Sequence, residues 1–140
     1  MRIWTFCVSE EPQGKARPRF ARTRNGVRTY TPNKTVSYEQ RVQLAYRGKY
    51  KEEPTEKSVS VYIQANFKIP KSWSKKKKEQ VALGVYRPTK KPDADNIAKA
   101  VCDALNGIAY KDDSQIVHLV VDKFYSDSDG YVMVKIEEME

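Results

Sequence analysis

The sequence predicts one small mixed α/β (α+β) domain spanning residues 1–140, a mixed sheet with helices packed on it. Three observations carry that expectation. Runs of β-branched and aromatic residues stand at 3–8, 58–69, 115–125 and 131–136. Runs of helical periodicity stand between them, the clearest at 95–106. The chain has 140 residues, 39% of them hydrophobic, which suits a single core without a disulfide staple.

Taken in order, Ile3–Val8 is an opening strand. Residues 12–32 hold Pro12, Gly14, Pro18, Gly26, Pro32 and six Arg or Lys, and read as a basic loop or irregular hairpin turning at Asn25-Gly26. Asn33 or Thr35 caps a helix that runs to about Tyr46, with Val36, Val42, Leu44 and Ala45 as its apolar positions. Ser58–Ile69 is a long strand ended by Pro70. Ser74 caps a short helix, Lys75–Leu83, closed by Gly84; residues 85–92 are extended. In Asp95–Asn106 the residues Ile97, Val101 and Leu105 form a buried stripe. Asp95, Lys99 and Asp103 keep the same spacing about 200° around the axis. Gly107 ends that helix. Gln115–Tyr125 and Tyr131–Ile136 are strands joined by a turn at 126–130.

Charge is unevenly spread. Residues 1–90 carry 21 Lys and Arg against 7 Asp and Glu, whereas residues 91–140 carry 5 against 11. A basic part of that strength suits a polyanion such as nucleic acid, through phosphate neutralisation and counterion release. No apolar run approaches the roughly 20 residues of a membrane helix. Ile3–Val8 is too short for a signal peptide and is soon followed by Glu10-Glu11. Cys7 and Cys102 have neither metal-binding nor disulfide-framework spacing, so a reduced, cytoplasmic setting is expected. Nothing in the sequence calls for a small-molecule cofactor.

Acidic clusters within a basic protein point to metal-dependent chemistry on a polyanion. Asp93 and Asp95 are two apart, and extended backbone would put both on one face. Lys99 lies one turn beyond Asp95, where it can meet a phosphate oxygen or steady a leaving group. From Asp95 to Asn106 a helix rises roughly 16 Å. Ile108–Asp113, if extended, returns about 20 Å. That path would bring Asp112 or Asp113 back beside Asp93 and Asp95, with one of the two pointing inward. Such carboxylates suit Mg²⁺, which takes oxygen ligands and keeps several waters. The bland reading has Asp93 as a helix cap, Asp95 as a first-turn acid paired with Lys99, and Asp112-Asp113 as a solvated turn. Spacing alone leaves both readings open.

The run at 91–125 resembles the RusA family of Holliday-junction resolvases. The signature places are held by Asp93, Asp95, Asn96, Lys99, Asp103-Ala104-Leu105, Asp112-Asp113-Ser114-Gln115 and Lys123. Ala16-Arg17-Pro18-Arg19-Phe20 and Tyr30-Thr31-Pro32 look like the family's opening. The resemblance implies a homodimeric, Mg²⁺-dependent endonuclease that nicks opposing strands of four-way DNA junctions in recombination and repair. It implies metal ligation by Asp93, Asp95 and one of the adjacent pair, with Asp113 favoured and Asp112 the alternative. It makes Lys99 the lysine of the catalytic site. Bacteria and their phages or prophages commonly carry such proteins.

Arg17, Arg19, Arg22, Arg24 and Arg28, interleaved with Phe20 and Tyr30, suit an arm gripping DNA phosphates, and Lys123 joins this DNA-binding set. Lys75–Lys78 reads more simply as a solvated face, and His118 as a structural strand residue. Two other classes stay in view: a non-catalytic nucleic-acid-binding protein, and a Mg²⁺ nuclease for other branched DNA.

Overall fold

The computed structural model describes residues 1–16, 18–30 and 32–139. Four strands form the main sheet, in the order β1 (Ile3–Val8), β6 (Tyr131–Glu138), β4 (Val59–Lys68), β5 (Ile116–Ser126). β6 runs antiparallel to both β1 and β4, while β4 and β5 are parallel. A parallel pair cannot be joined by a tight turn. The chain crosses over through α2 (Lys75–Ala82) and α3 (Ala94–Leu105) before β5 begins. The expected mixed sheet is therefore present.

The alternation that marks β4 as a strand also orients it. Val59, Val61, Ile63 and Ala65 are fully buried, whereas Ser60, Tyr62 and Gln64 are only partly so. The buried set packs with α1 (Asn33–Arg47) through Tyr38, Val42 and Tyr46, and with α3 through Ile97, Val101 and Leu105. Both helices thus lie on one face of the sheet. α3 also buries Ala98, Ala100 and Ala104, and these small residues let it lie close against its neighbours.

The basic loop is a regular two-stranded ribbon, β2 (Arg19–Thr23) and β3 (Gly26–Tyr30), separate from the main sheet. Its two-residue loop is Arg24-Asn25, one position earlier than expected, because Gly26 already pairs with Thr23. Neither expected cap serves α1. Pro32 holds the N-cap position, and the Thr35 hydroxyl instead accepts from the Ala16 N–H at 3.2 Å. α2 buries none of its residues. It rests on an aromatic mount, with Lys77 Nζ 3.9 Å from the Trp73 ring centre and Trp73 edge-on to Tyr125 at 4.8 Å.

One buried charge ties the sheet's end together. Glu138 accepts from the Arg2 N–H (3.1 Å), Arg2 Nε (3.3 Å) and the Thr55 hydroxyl (2.7 Å). The hydrogen bond from Thr55, together with those from Arg2 and its charge, holds the carboxyl below its ordinary value of 4.5, against the opposing effect of burial. The folded state therefore binds this proton less tightly than the unfolded chain. The contribution is full above pH 4.5 and is lost as pH falls through the folded pKa. Glu138→Gln is expected to cost about 1–2 kcal/mol at pH 7, the lower part of the range for charged hydrogen bonds because Arg2 is half exposed. Urea unfolding should show the difference at pH 7 and a much smaller one at pH 3.

Candidate active site

The site is built on the first turns of α3. Asp93 occupies the N-cap position, with φ −69° and ψ 155°, yet its carboxylate makes no capping hydrogen bond. Asp95 lies in the first turn, where the helix dipole favours an acid. Both carboxylates and Lys99 are solvent-exposed. Helical backbone begins at Ala94, so the two acids are not set side by side by an extended stretch as the spacing suggested. Asp93 faces a depression of about 630 Å³ lined also by Lys15, Arg19, Lys34 and Lys91. Asp95 faces a groove of about 460 Å³ that runs between α3 and the start of β5. Lys99, Asp103 and Asp113 line the same groove.

Lys99 pairs with Asp103 (3.5 Å), not with Asp95. The same Asp103 oxygen takes Lys15 at 3.4 Å, and Lys15 reaches Glu39 at 3.0 Å. Burial alone would lower the Lys15 pKa, but Glu39 and then Asp103 outweigh it and raise it. Lys15 is pinned by backbone as well, since its N–H donates to Asn96 O at 3.1 Å. Beside it, Gly14 lies so close to the start of α3 that a Cβ would stand 2.9 Å from Pro92 Cβ and 3.1 Å from Asn96 Cβ. The segment that precedes the basic ribbon is therefore held against the start of α3. This long-range ladder has no signature in the sequence.

Asp113 is not beside Asp93 and Asp95. The chain turns tightly after Gly107 (φ +78°), with the Gly107 N–H donating to Tyr110 O at 2.8 Å and the Ile108 N–H to Leu105 O at 3.0 Å. Those bonds use up the length that an extended return would need. Asn106 Oδ1 then accepts from the Asp113 N–H (3.1 Å), which fixes Asp113 at the C-terminal end of α3. Cys102 lies within reach of the same charge. Burial, then Asp103 and Asp113, push its thiol up to about 11 against a bond with Tyr110 that lowers it, so it is an inert packing group.

The two neighbouring aspartates have different work. Asp112 caps the 3₁₀ turn Asp113–Gln115, accepting from the Ser114 N–H at 3.0 Å. Hydrogen bonding to Ser114 holds its carboxyl below the usual range. Gln115 Oε1 accepts from the Asp112 N–H (2.8 Å), and its Nε2 donates to Thr55 O (2.9 Å) and Lys57 O (2.7 Å). Asp113 is left to face the groove.

Lys123 does not stand on an open DNA-facing surface. Its ammonium donates to Lys90 O (2.7 Å) and Pro92 O (3.0 Å), holding the strap that presents Asp93. Burial lowers its pKa, opposed by the charge of Asp93. Arg19, Arg22, Arg24 and Arg28 are exposed on the ribbon, as are Phe20 and Tyr30. Cross-strand pairing puts Arg19, Arg28 and Tyr30 on one face and Phe20 and Arg22 on the other. Arg17 lies outside the described residues. His118 Nδ1 meets the Ser60 hydroxyl at 3.1 Å, a cross-strand structural pair.

The carboxylates offer hard oxygen donors of the kind Mg²⁺ takes. Among the described residues, however, no three acidic, imidazole or thiol side chains stand together to ligate one ion. Asp93, Asp95 and Asp113 do not close a three-ligand site within one chain.

The profile of Endodeoxyribonuclease RusA matches residues 10–137, nearly the whole chain. The chain belongs to the RusA endodeoxyribonuclease family. It is also 42% identical over 136 residues to "Uncharacterized protein YqaN" of Bacillus subtilis (strain 168), covering 96% of this chain and 95% of that one. Membership of a nuclease family gives the exposed acids at the start of α3 a chemical setting that spacing alone did not. Among the described residues no helix is long and apolar enough to cross a membrane.

Proposed function

We propose that this RusA-family protein is a Mg²⁺-dependent endonuclease that resolves four-way DNA junctions by paired nicking of opposing strands, acting as a homodimer in recombination and repair. The observation that carries the reading is the groove lined by Asp95, Lys99 and Asp113 along a helix whose start is held by the segment that precedes an exposed arginine ribbon. The ribbon would grip backbone phosphates, since arginine forks match phosphate oxygens and Phe20 or Tyr30 can stack on bases. The exposed ammonium of Lys99 would neutralise the phosphate entering the groove, while Asp103 keeps that side chain directed along α3. Asp93 and Asp95 would hold the ion. Bound there, Mg²⁺ supplies relief of charge on the phosphate oxygens and activation of water.

The test is cleavage of a labelled four-way junction beside linear duplex and flap controls, with and without Mg²⁺. The expected result is two symmetric nicks in the junction, only with the ion. Cleavage of flaps in preference to junctions would favour a nuclease for other branched DNA. Tight binding with no cleavage of any substrate would favour a non-catalytic nucleic-acid-binding protein.

The ribbon has its own expected result. Replacing Arg19, Arg22 and Arg28 by Ala should weaken junction binding and reduce the log–log salt slope by about 1 for each phosphate no longer neutralised. A slope unchanged between low and moderate salt would remove the ribbon from the DNA interface.

A further inference from the structure

We propose that α2 is a second DNA-contacting surface: its lysines grip the backbone phosphates of a duplex arm, apart from the arginine ribbon and the acidic groove. The proposal rests on the nuclease reading above for the identity of the polyanion, and on the placement of α2 for the surface itself.

α2 lacks what ordinarily keeps a short helix in place. It buries none of its residues, so the packing of an apolar face does not account for it. Its first turn holds Lys75, Lys76 and Lys77 and no acid, although the helix dipole disfavours cations there. Lys75 and Lys78 stand three apart and repel one another. Among the described residues none of Lys71, Lys75, Lys76 and Lys78 makes an ion pair, not even with Glu79, the one acid of the helix. Local charge that works against the stability of its own helix marks a functional surface, and a bound polyanion relieves it.

The mount aims that charge outward. Lys77 is folded onto the aromatics, its Nζ 3.9 Å from the Trp73 ring centre and 5.2 Å from that of Tyr86. At about 3.6 residues per turn, Lys75, Lys76 and Lys78 are spread around the opposite side of the helix, and all three are exposed. Lys71, in the turn before α2, is exposed too, and with Lys78 it lines a depression of about 380 Å³. Two acids, Asp127 and Asp129, stand at that depression, and Asp129 is taken by Lys68 at 3.4 Å.

The same mount ties α2 to the acidic site. Trp73 stands edge-on to Tyr125 at 4.8 Å, and Lys90 Nζ lies 6.0 Å from the centre of the same Tyr125 ring. Lys90 belongs to the stretch 85–92 that leads from α2 to Asp93, and Lys123 holds that stretch through the carbonyls of Lys90 and Pro92. Beyond it, Lys91, Lys34 and Arg19 line the depression that Asp93 faces. Basic groups thus follow one another from the ribbon, past Asp93, to α2. DNA held at the ribbon meets a second set of cations once it has passed the acids. Lysine is a flexible point charge without the planar geometry of arginine, and Trp73 and Tyr86 are occupied by Lys77. The surface therefore suits phosphates and not base edges.

The experiment uses the full chain. Lys75→Ala, Lys76→Ala and Lys78→Ala are combined in one variant. A control variant loses the same number of charges through Lys51→Ala, Lys57→Ala and Lys135→Ala, all exposed and away from α2. Binding of a labelled four-way junction is followed by fluorescence anisotropy from low to moderate salt, without Mg²⁺ so that nothing is cut. The α2 variant should lower the log–log salt slope by about 3, roughly one for each phosphate no longer neutralised, and the control should move it by less than about 1. The urea midpoint of the α2 variant should equal or exceed that of the parent, because alanine is the better helix former and the repulsion is gone. A lower midpoint would mean that the lysines serve the fold, and would overturn the proposal. An unchanged slope, or a fall no larger than the control's, would overturn it as well. So would a DNA slope that holds while binding to phosphatidylserine vesicles is lost, since α2 would then be a membrane surface. A parent that cuts junctions while the α2 variant keeps its slope removes the α2 surface alone. A slope that falls as expected, in a protein whose parent form cuts no junction when Mg²⁺ is added, keeps the α2 surface and removes the nuclease reading alone.

Discussion

Asp95→Asn is expected to abolish junction cleavage while leaving junction binding within about tenfold of the parent protein. The two halves of that expectation come from different parts of the molecule. Asp95 is exposed in the first turn of α3 and opens onto the groove shared with Lys99, yet it makes no ion pair with Lys99. Its carboxylate supports none of the described packing, and asparagine has nearly its size. What the substitution removes is a full negative charge and an oxygen donor suited to a hard cation. In the proposed reading affinity rests elsewhere, on the arginines of the exposed ribbon. Single-turnover cleavage and gel-shift binding on the same junction separate the two. Cleavage at near the parent rate would withdraw Asp95 from the chemistry. A large loss of binding would mean that Asp95 orders the DNA-contacting surface, which its exposure argues against.

How far the sequence could be read depended on whether a feature was local. Ile97, Val101 and Leu105 recur every four residues, and all three are fully buried on α3. β4 was legible because alternation is a backbone property: Val61 and Ile63 face the helices whatever strand lies beside them. Ser74 caps α2 as its position suggested. The capping proposed for α1 failed because the helix starts earlier, at Asn33 after Pro32, which leaves Thr35 inside it to accept from Ala16, a residue of another segment. The role of Lys123 was hidden for the same reason, since its two acceptors belong to residues 90 and 92. The largest departure was the path from Asn106 to Asp113. Glycine at 107 announced a helix end, but nothing local showed that Gly107, Ile108 and Ala109 would fold back on Leu105 and Tyr110. Tyr110 is buried there, its hydroxyl donating to Cys102 O at 2.6 Å, and that anchorage decides where Asp113 goes. Glu138 was silent for a related reason: its partners are Arg2 and Thr55, and only the folded chain assembles them.

The adjacent acids give the sharpest test of this division between local and assembled function. Asp113→Asn should lose cleavage as completely as Asp95→Asn, whereas Asp112→Asn should keep cleavage within about tenfold of the parent and show only a modest fall in its unfolding midpoint. The sequence cannot rank the two, because they differ by one position in an Asp-Asp pair. The structure ranks them by occupation. Asp112 Oδ2 is already committed to the Ser114 N–H, and its backbone N–H to Gln115. An asparagine there retains an oxygen that can accept the Ser114 bond, so the turn survives and only the benefit of the charge is lost. Asp113 is oriented through its backbone, by Asn106, and its carboxylate faces the groove. Removing that charge leaves the turn intact and the groove one acid short. Asn106→Ala extends the same logic: it spares every acid but releases the Asp113 backbone, so cleavage should fall while junction binding holds. If Asp112→Asn proved the inactive variant and Asp113→Asn the active one, the roles of cap and proposed ligand would be exchanged.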